Sequence, residues 1–288
     1  MTLEILDSSG GLVRRYSSTD KPLPMEKLAA EYPIPMYWVR PAEILSTEAG
    51  MHRFVWDVHY AAPDALEKEF PISAILHDTP LLPLGARALP GSYTVKLTVN
   101  GQSYTQPLTV KMDPRIHTSL EDLRKQQEME IGAVEGMDDS YESLEQVKSV
   151  RAQIKEASKK VNGKEKLAKE LAALDNQCDE LEGGTQHSFY GVPSSGKAPE
   201  NFSTLNQHFA AILAVADSAD AAPTTQAEAA YLDLEQSETG LRRRWSAIRE
   251  KDIPDLNKGL AKDGLSPIDS KKPLGEELGG ASDGDDEP

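Results

Sequence analysis

Hydrophobic and polar residues follow two different periods along this chain, and the change falls near Pro114. Before it, the clearest unit is SYTVKLTVNGQSYTQPLTVKMD, where Tyr93, Val95, Leu97 and Val99 alternate with Thr94, Lys96 and Thr98. Asn100-Gly101 supplies the two positive-φ residues of a type I′ turn. A two-residue loop pairs Leu97 with Tyr104, Val95 with Gln106 and Tyr93 with Leu108. The same face continues into Val110 and Met112, so turn and alternation agree on register. Pro107 removes a ladder donor and marks its strand as an edge. A second hairpin is expected in LEILDSSGGLVRRY, around Asp7 to Gly11.

GMHRFVWDVHY, residues 50–60, is also expected to be a strand. Period two puts His52, Phe54, Trp56, Val58 and Tyr60 on one face, a sandwich-core stripe. Met51, Arg53, Val55, Asp57 and His59 fall on the other. Asp57 and His59 are then same-face neighbours about 7 Å apart. A catalytic dyad needs direct hydrogen-bond reach and a nucleophile beside it, and no Ser, Cys or Lys motif stands near enough in sequence to nominate. The stretch is therefore read as structural.

Residues 22–49 are broken by Pro22, Pro24, Pro33, Pro35 and Pro41, so EYPIPMYWVRP cannot be helical. Tyr32, Tyr37 and Trp38 gather there. A long loop anchored by its aromatic side chains accounts for them. The alternative is an aromatic ligand platform for a sugar ring or a peptide, although no acidic pair accompanies it.

Residues 117–260 read as helix. Thr118-x-x-Glu121 forms a capping box after Asp113-Pro114. Leu120, Leu123, Ile131, Val134, Tyr141, Leu144, Val147 and Ile154 recur at steps of three and four. Unbroken to Val161, such a helix would extend on the order of 65 Å. Gln127 interrupts its stripe; Gly132 and Gly136 weaken it, mark a bend or admit a close neighbour. Leu167, Leu171, Leu174, Cys178 and Leu181 keep heptad spacing, which places Cys178 in the seam as a small hydrophobe. Leu205, Phe209, Ile212 and Ala216 form a third segment. Thr225-x-x-Glu228 caps a fourth, striped by Tyr231, Leu234, Leu241, Trp245 and Ile248. Four amphipathic segments with short connections predict an antiparallel helical bundle or long helical hairpins.

Composition changes little in this picture. The chain has 288 residues, is 39% hydrophobic and carries a net charge of -16. That charge argues against nucleic acid and anionic membranes as partners. The single Cys178 excludes an internal disulfide framework. No N-terminal segment has the basic and apolar regions of a signal peptide, and no apolar run approaches the ~18 residues of a membrane span, so the expectation is a soluble chain written without an export signal. For metal, Asp217 and Asp220 have i, i+3 spacing but His208 is too distant, and helix-end chemistry explains Asp220 more simply. The six acidic residues after Gly275 read as a solvated tail, residues 269–288, without the spaced ligands of a calcium loop. No cofactor is expected.

Several stretches resemble one bacterial family. LEILDSSGGLVRRYSS, PMYWVRPAEILSTEAGMHRFVWDVHY, FPISAILHDTPLLPLGARALPGSYTVKLTVNGQSYTQPLTVKMDPR, DSADAAPTTQ and IPDLNKGLAKDGLSPI are similar to the C-terminal region of large secreted sortilin-type β-propeller proteins with BNR-like repeats, often labelled glycosyl hydrolases. The resemblance covers about Thr2 to Ile268. FVWD with PGSYTV also resembles the Ig-like domain of flagellar hook-capping proteins. Any catalytic or ligand face implied by the family would lie in a propeller. This sequence contains no Asp-box repeat (Ser-x-Asp-x-Gly-x-x-Trp), so no catalytic residue carries over. The family implies a further strand before Thr2, a truncated N-terminus, and a secreted or periplasmic parent.

Together these readings predict an α+β chain of separate domains: an antiparallel Ig-like β-sandwich over 1–113, its first strand missing, then a helical bundle over 117–260. The expected role is a non-catalytic scaffold or protein-interaction module whose partner is the propeller, in the same or a second polypeptide. The alternative is a carbohydrate-binding module using Tyr32, Tyr37 and Trp38. A hydrolase would need two carboxylates across a cleft, and none declares itself.

Overall fold

A computed structural model describes residues 1–21, 34–41, 44–71, 75–161, 164–183 and 201–274. The fold is mixed α+β. Strands β1 (Thr2–Leu6), β2 (Leu12–Ser17), β3 (Gly91–Val99) and β4 (Gln102–Val110) form one antiparallel sheet in the order β2-β1-β3-β4. The helices are α1 (Leu120–Ser158), α2 (Glu165–Glu182), α3 (Phe202–Ala216), α4 (Thr225–Ala247) and α5 (Ile253–Lys262), with a π-helical turn, Ile248–Asp252, joining the last two. The chain divides into two compact units. One is Met1–Glu135 with Ala210–Tyr231, the other Gly136–Phe209 with Leu232–Pro288; α1, α3 and α4 contribute to both.

In the first unit the β3–β4 hairpin has the register that its turn demands. Asn100 and Gly101 have φ of 50° and 82°, and Tyr93, Val95 and Leu97 face Leu108, Gln106 and Tyr104. With a two-residue loop the flanking Val99–Gln102 pair exchanges hydrogen bonds, so Ser103, Thr105, Pro107 and Thr109 turn their backbone groups outward from the sheet. Pro107 thus sits where no ladder donor is needed and removes one free N–H from the edge. At the β1–β2 turn, Asp7 Oδ1 accepts from the backbone of Ser9 and Gly11 (both 2.8 Å) and from Ser9 Oγ (2.7 Å). The Ser9 hydroxyl, then these amides, hold the Asp7 carboxyl below its ordinary range. Strand β1 is hydrogen-bonded on both sides, to β2 and to β3.

Residues 51–57 are not a strand, contrary to the expectation for this stretch; its one bridge is His59 with Arg87. The reason is local. Val58 has φ +62°, a conformation that L-residues, and β-branched ones above all, avoid. The chain turns there and leaves the ladder geometry. Trp56 Nε1–H donates to the His59 carbonyl (3.0 Å) and Ala88 N–H to the Val58 carbonyl (2.8 Å), which hold the turn. The expected face survives without the ladder. Phe54, Trp56, Val58 and Tyr60 pack on the buried cluster of Ile5, Val13, Tyr16, Leu45, Ala88 and Tyr93. Tyr16–Phe54 and Trp56–Tyr93 meet edge to face, with centroids 4.6 and 5.6 Å apart. His52 is exposed and bonds only the Glu48 carbonyl (2.9 Å).

Both predicted helix caps lie one residue off. Ser119, not Thr118, caps α1: its Oγ accepts from Asp122 N–H (3.1 Å) and donates to the Asp122 carboxylate (2.7 Å). Thr224, not Thr225, caps α4 through the Ala227 N–H (3.2 Å). Each pair offers two adjacent hydroxyl residues, and the sequence does not separate them. The N-terminal stripe of α1 is also rotated from expectation. Leu120 is exposed, while Leu123, Gln126, Glu130 and Ala133 are buried. Helix α1 runs through Gly132 without interruption, and the Tyr231 hydroxyl occupies the space a side chain would fill there.

The second unit follows the periodicity closely. Helix α2 buries Leu167, Leu171, Leu174, Cys178 and Leu181, the heptad positions. Arg151 of α1 gathers Asp175, Asp179 and Glu182 of α2 at 3.1, 2.7 and 2.6 Å. Phe209 lies over Gly136. Asn206 donates to the Met137 carbonyl (2.9 Å) and Ser140 Oγ (3.2 Å), which satisfies a buried amide. Trp245 is buried with its indole N–H on Gln146 Oε1 (3.0 Å). Beyond the four expected helices, α5 buries Ile253, Leu256 and Leu260, and Asn257 clips the following chain at Ile268 through two hydrogen bonds (2.8 and 2.7 Å).

Candidate functional site

The densest polar arrangement in the first unit centres on Arg87, in the loop GARALPG. Its backbone and side chain are both held. The Arg87 N–H donates to Glu130 Oε2 (2.7 Å), and the Arg87 carbonyl accepts from Gln127 Nε2 (2.7 Å). In the guanidinium, Nε donates to Asp217 Oδ1 (2.9 Å), Nη1 to Asp220 Oδ1 (2.9 Å), and Nη2 pairs with Asp217 Oδ1 (2.6 Å) and donates to the Asp217 carbonyl (3.0 Å). Every nitrogen of the fork is engaged, the geometry for which arginine is suited. Asp217 and Asp220 leave the C-terminus of α3, and Thr118 Oγ1 donates to the Asp220 carbonyl (2.5 Å).

His59 joins the same cluster. Its Nδ1 lies 2.7 Å from the Asp57 carbonyl, which can only accept, so Nδ1 carries a proton. Its Nε2 faces Asp217 Oδ1 at 3.5 Å, an ion-pair distance without hydrogen-bond alignment. A lone pair on Nε2 would oppose a carboxylate, so the arrangement favours the imidazolium. Burial lowers the His59 pKa, but Asp217, then Asp57, more than offset it and leave it raised. For Asp217 burial pushes upward, while His59 and Arg87 outweigh it and hold the carboxyl low. Glu130 goes the other way. It is fully buried, and desolvation raises it despite the hydrogen bonds from Arg87 N–H and Gln126 Nε2 (2.9 Å).

Beside this cluster lies a half-open cavity of about 200 Å³. Val58, Leu89, Val110, Met112 and Leu123 form apolar wall; Arg87, Gln126, Gln127, Glu130 and Asp220 contribute polar groups. Val58 therefore places a strained backbone residue on the cavity wall. Strain of this kind costs of order 1–3 kcal/mol and persists only where surrounding contacts over-determine it.

Asp57 and His59 touch, as their nearness in sequence allowed, but the imidazole meets the Asp57 carbonyl; the carboxylate stands 4.0 Å from Nδ1, accepts the His59 backbone N–H (3.3 Å) and pairs with Arg40 (3.4 Å). Asp217 and Asp220 work together at i, i+3, on a guanidinium. His208 is not in the cluster. Among the described residues no three His, Cys, Asp or Glu side chains converge as a metal-ligand set. Arg87 and Glu130 were not singled out from the sequence. The available signal was Gln126-x-x-x-Glu130, a polar pair at i, i+4 lying where the α1 stripe buries its residues.

Of the aromatic trio, Tyr32 lies outside the described residues. Tyr37 and Trp38 sit in a 3₁₀ turn, Met36–Trp38, with ring centroids 5.7 Å apart and planes at 78°. Tyr37 is 55% exposed and Trp38 half-buried. The two rings do not share a plane. This segment is paired to residues 75–79: His77 N–H bonds the Tyr37 carbonyl (3.1 Å), Thr79 N–H the Trp38 carbonyl (3.0 Å), and Arg40 N–H the Thr79 carbonyl (2.8 Å). Ile75 and Leu76 on the partner segment are 50% and 64% exposed.

No family model matches this chain, and no curated protein or solved structure matches it.

Proposed function

We propose that the chain is a non-catalytic accessory module that binds a protein partner, with an Ig-like sandwich as its N-terminal part and its helices as a scaffold. The observation that carries this reading is the exposure of Tyr37, Ile75 and Leu76 on two segments fastened together by backbone hydrogen bonds. Three large apolar side chains presented on paired backbone suit a surface that another protein covers. The state of the charged cluster agrees with a non-catalytic role. Arg87 and Asp217 are hydrogen-bonded to one another, with Asp220 and His59 ion-paired to them, and groups paired in this way are less free to act on a substrate.

The resemblance names the partner class, a BNR-type β-propeller in the same or a second polypeptide. Calorimetry of the full chain against such a propeller in trans tests it. Saturable binding that Leu76→Asp abolishes, with unchanged melting, supports the reading; no heat, or binding indifferent to Leu76→Asp and Tyr37→Ala, overturns it. The carbohydrate alternative rests on Tyr37 as one exposed ring face, since Trp38 stands nearly perpendicular to it. A glycan array separates the two readings: a glycan signal lost in Tyr37→Ala favours the second.

A further inference from the structure

We infer that strand β4 is an interface for a second copy of this chain. Two copies pair edge to edge, antiparallel about Gln106, and continue one sheet across a two-fold axis. The inference does not depend on the protein-binding reading, which concerns the paired segments around Tyr37 and Leu76.

Strand β4 ends the sheet, and residues 102–107 and Thr109 are all exposed. The other edge strand, β2, buries Val13, Tyr16 and Ser17. The outward backbone groups of Ser103, Thr105, Pro107 and Thr109 bond nothing among the described residues. Long edges are commonly guarded by charged side chains. Strand β4 has none, in a chain that is 27% charged, so no like charges meet when it pairs with its own copy. Its one guard is Pro107, and one register accommodates it.

Only residues 103, 105, 107 and 109 turn their backbone outward, so only they can exchange hydrogen bonds with a neighbouring strand. An axis through Gln106 sets Ser103 opposite Thr109 of the second copy, and Thr105 opposite Pro107 of the second copy. Every outward N–H then finds an acceptor, and only the Thr105 carbonyl lacks a donor, the milder kind of loss. Shifting the partner by two residues instead sets Thr109 against Gly101 in the turn, or Ser103 against Lys111 beyond the strand. The side chains agree with the same register. Tyr104, 59% exposed, stands opposite Leu108 of the second copy in a non-hydrogen-bonded pair, where side chains approach most closely. A patch that meets itself residue for residue is what a two-fold dimer requires.

Sedimentation of the full chain over micromolar to millimolar concentrations tests this. A reversible monomer–dimer equilibrium is expected. Sodium chloride should favour the dimer, because copies of charge -16 repel and no ion pair crosses β4. Thr105→Pro removes an outward N–H without touching the β3 ladder and should weaken the dimer by about tenfold, with an unchanged far-ultraviolet spectrum. Pro107→Thr restores the missing N–H and should tighten it by about tenfold. Cysteine at the axis reads the register. Gln106→Cys should form a disulfide-linked dimer in oxidised glutathione, since facing Cα atoms would lie about 4.5 Å apart. Thr105→Cys should not, because its own copy lies diagonally, about 7–8 Å away. A wild-type monomer at every concentration, a dimer dissociated by salt, a dimer indifferent to both Thr105→Pro and Pro107→Thr, or equal cross-linking of the two cysteine variants overturns the inference.

Discussion

The ring of Phe209 lies directly over the Cα of Gly136, and a methyl group at Gly136 would overlap it. Both residues are in the second unit, and Phe209 is fully buried. Gly136→Ala should therefore destabilise by about 1–3 kcal/mol, the range for overpacking a core. Helix propensity alone predicts the opposite sign, a gain of about 1 kcal/mol. Gly240 is the control: it is exposed in α4, and nothing lies within 4 Å of where its Cβ would be. Gly240→Ala should stabilise by about 1 kcal/mol. Urea denaturation of the two variants reads both signs.

Arg87 is predicted to matter more for stability than an ordinary surface arginine. Arg87→Ala strands Asp220 without its cation and leaves Asp217 with His59 alone. Removing one partner of a buried pair costs about 3–5 kcal/mol. The Arg87 side chain is about a third exposed, so we expect about 2–3 kcal/mol. Arg87→Lys should recover only part of it, because an ammonium cannot hold both carboxylates and the Asp217 carbonyl in one plane. Full recovery by lysine, measured by thermal or chemical melting, would contradict the fork geometry.

The histidine gives a pH signature. Its folded pKa is raised above 6.5, so its contribution to stability is fully present below the unfolded value and fades as pH rises through the folded one. Asp217 has the reverse sign: its folded pKa is lowered from 3.8, so its contribution is present above that value and is lost as pH falls through the folded pKa. The clamp is strongest between these limits. Proton NMR of the His59 ring should give a pKa above 6.5 in the wild type. Asp217→Asn should bring it down, because burial then acts with less opposition.

Cys178 should be inert in the native protein. It is fully buried in the α2 seam, and burial first, then the Asp175 carboxylate, pushes its thiol up to about 12. Thiolate is the reacting species, so a disulfide reagent at neutral pH should label Cys178 only at the rate of unfolding. Labelling faster than global unfolding would mean that α2 opens locally.

The parts of the fold legible in the sequence are those where two local signals agree. Asn100-Gly101 and the flanking alternation specify the same register, and the hairpin has it. The heptad of α2 names its buried residues one for one. The 50–60 segment went differently, because alternation reports which side chains share a face and not whether a neighbouring strand is present. Val58 breaks the ladder while its face stays on the core. Arg87, His59, Glu130 and Asp217 come from four distant stretches, and only tertiary folding brings them together. In α1 the sequence stripe favoured Gln127 as the interruption, but it is Gln126 that is buried. A polar side chain inside a stripe looks like an error of pattern until its bonding partners, here Glu130, Ala216 and Ala221, are known.

The π-helical turn between α4 and α5 has a bearing on length variation in this chain. Buried positions step by four and three through Leu241, Trp245 and Ile248, then by five to Ile253, then by three and four to Leu256 and Leu260. A regular α-helix would lose its phase over that five-residue step, and the wider turn absorbs the extra residue. The segment Arg249–Asp252 is thus a built-in insertion. Removing a single residue from it would shorten the gap to four and let one uninterrupted α-helix carry the same buried face, whereas a deletion elsewhere in α4 or α5 would swing that face by about 100°.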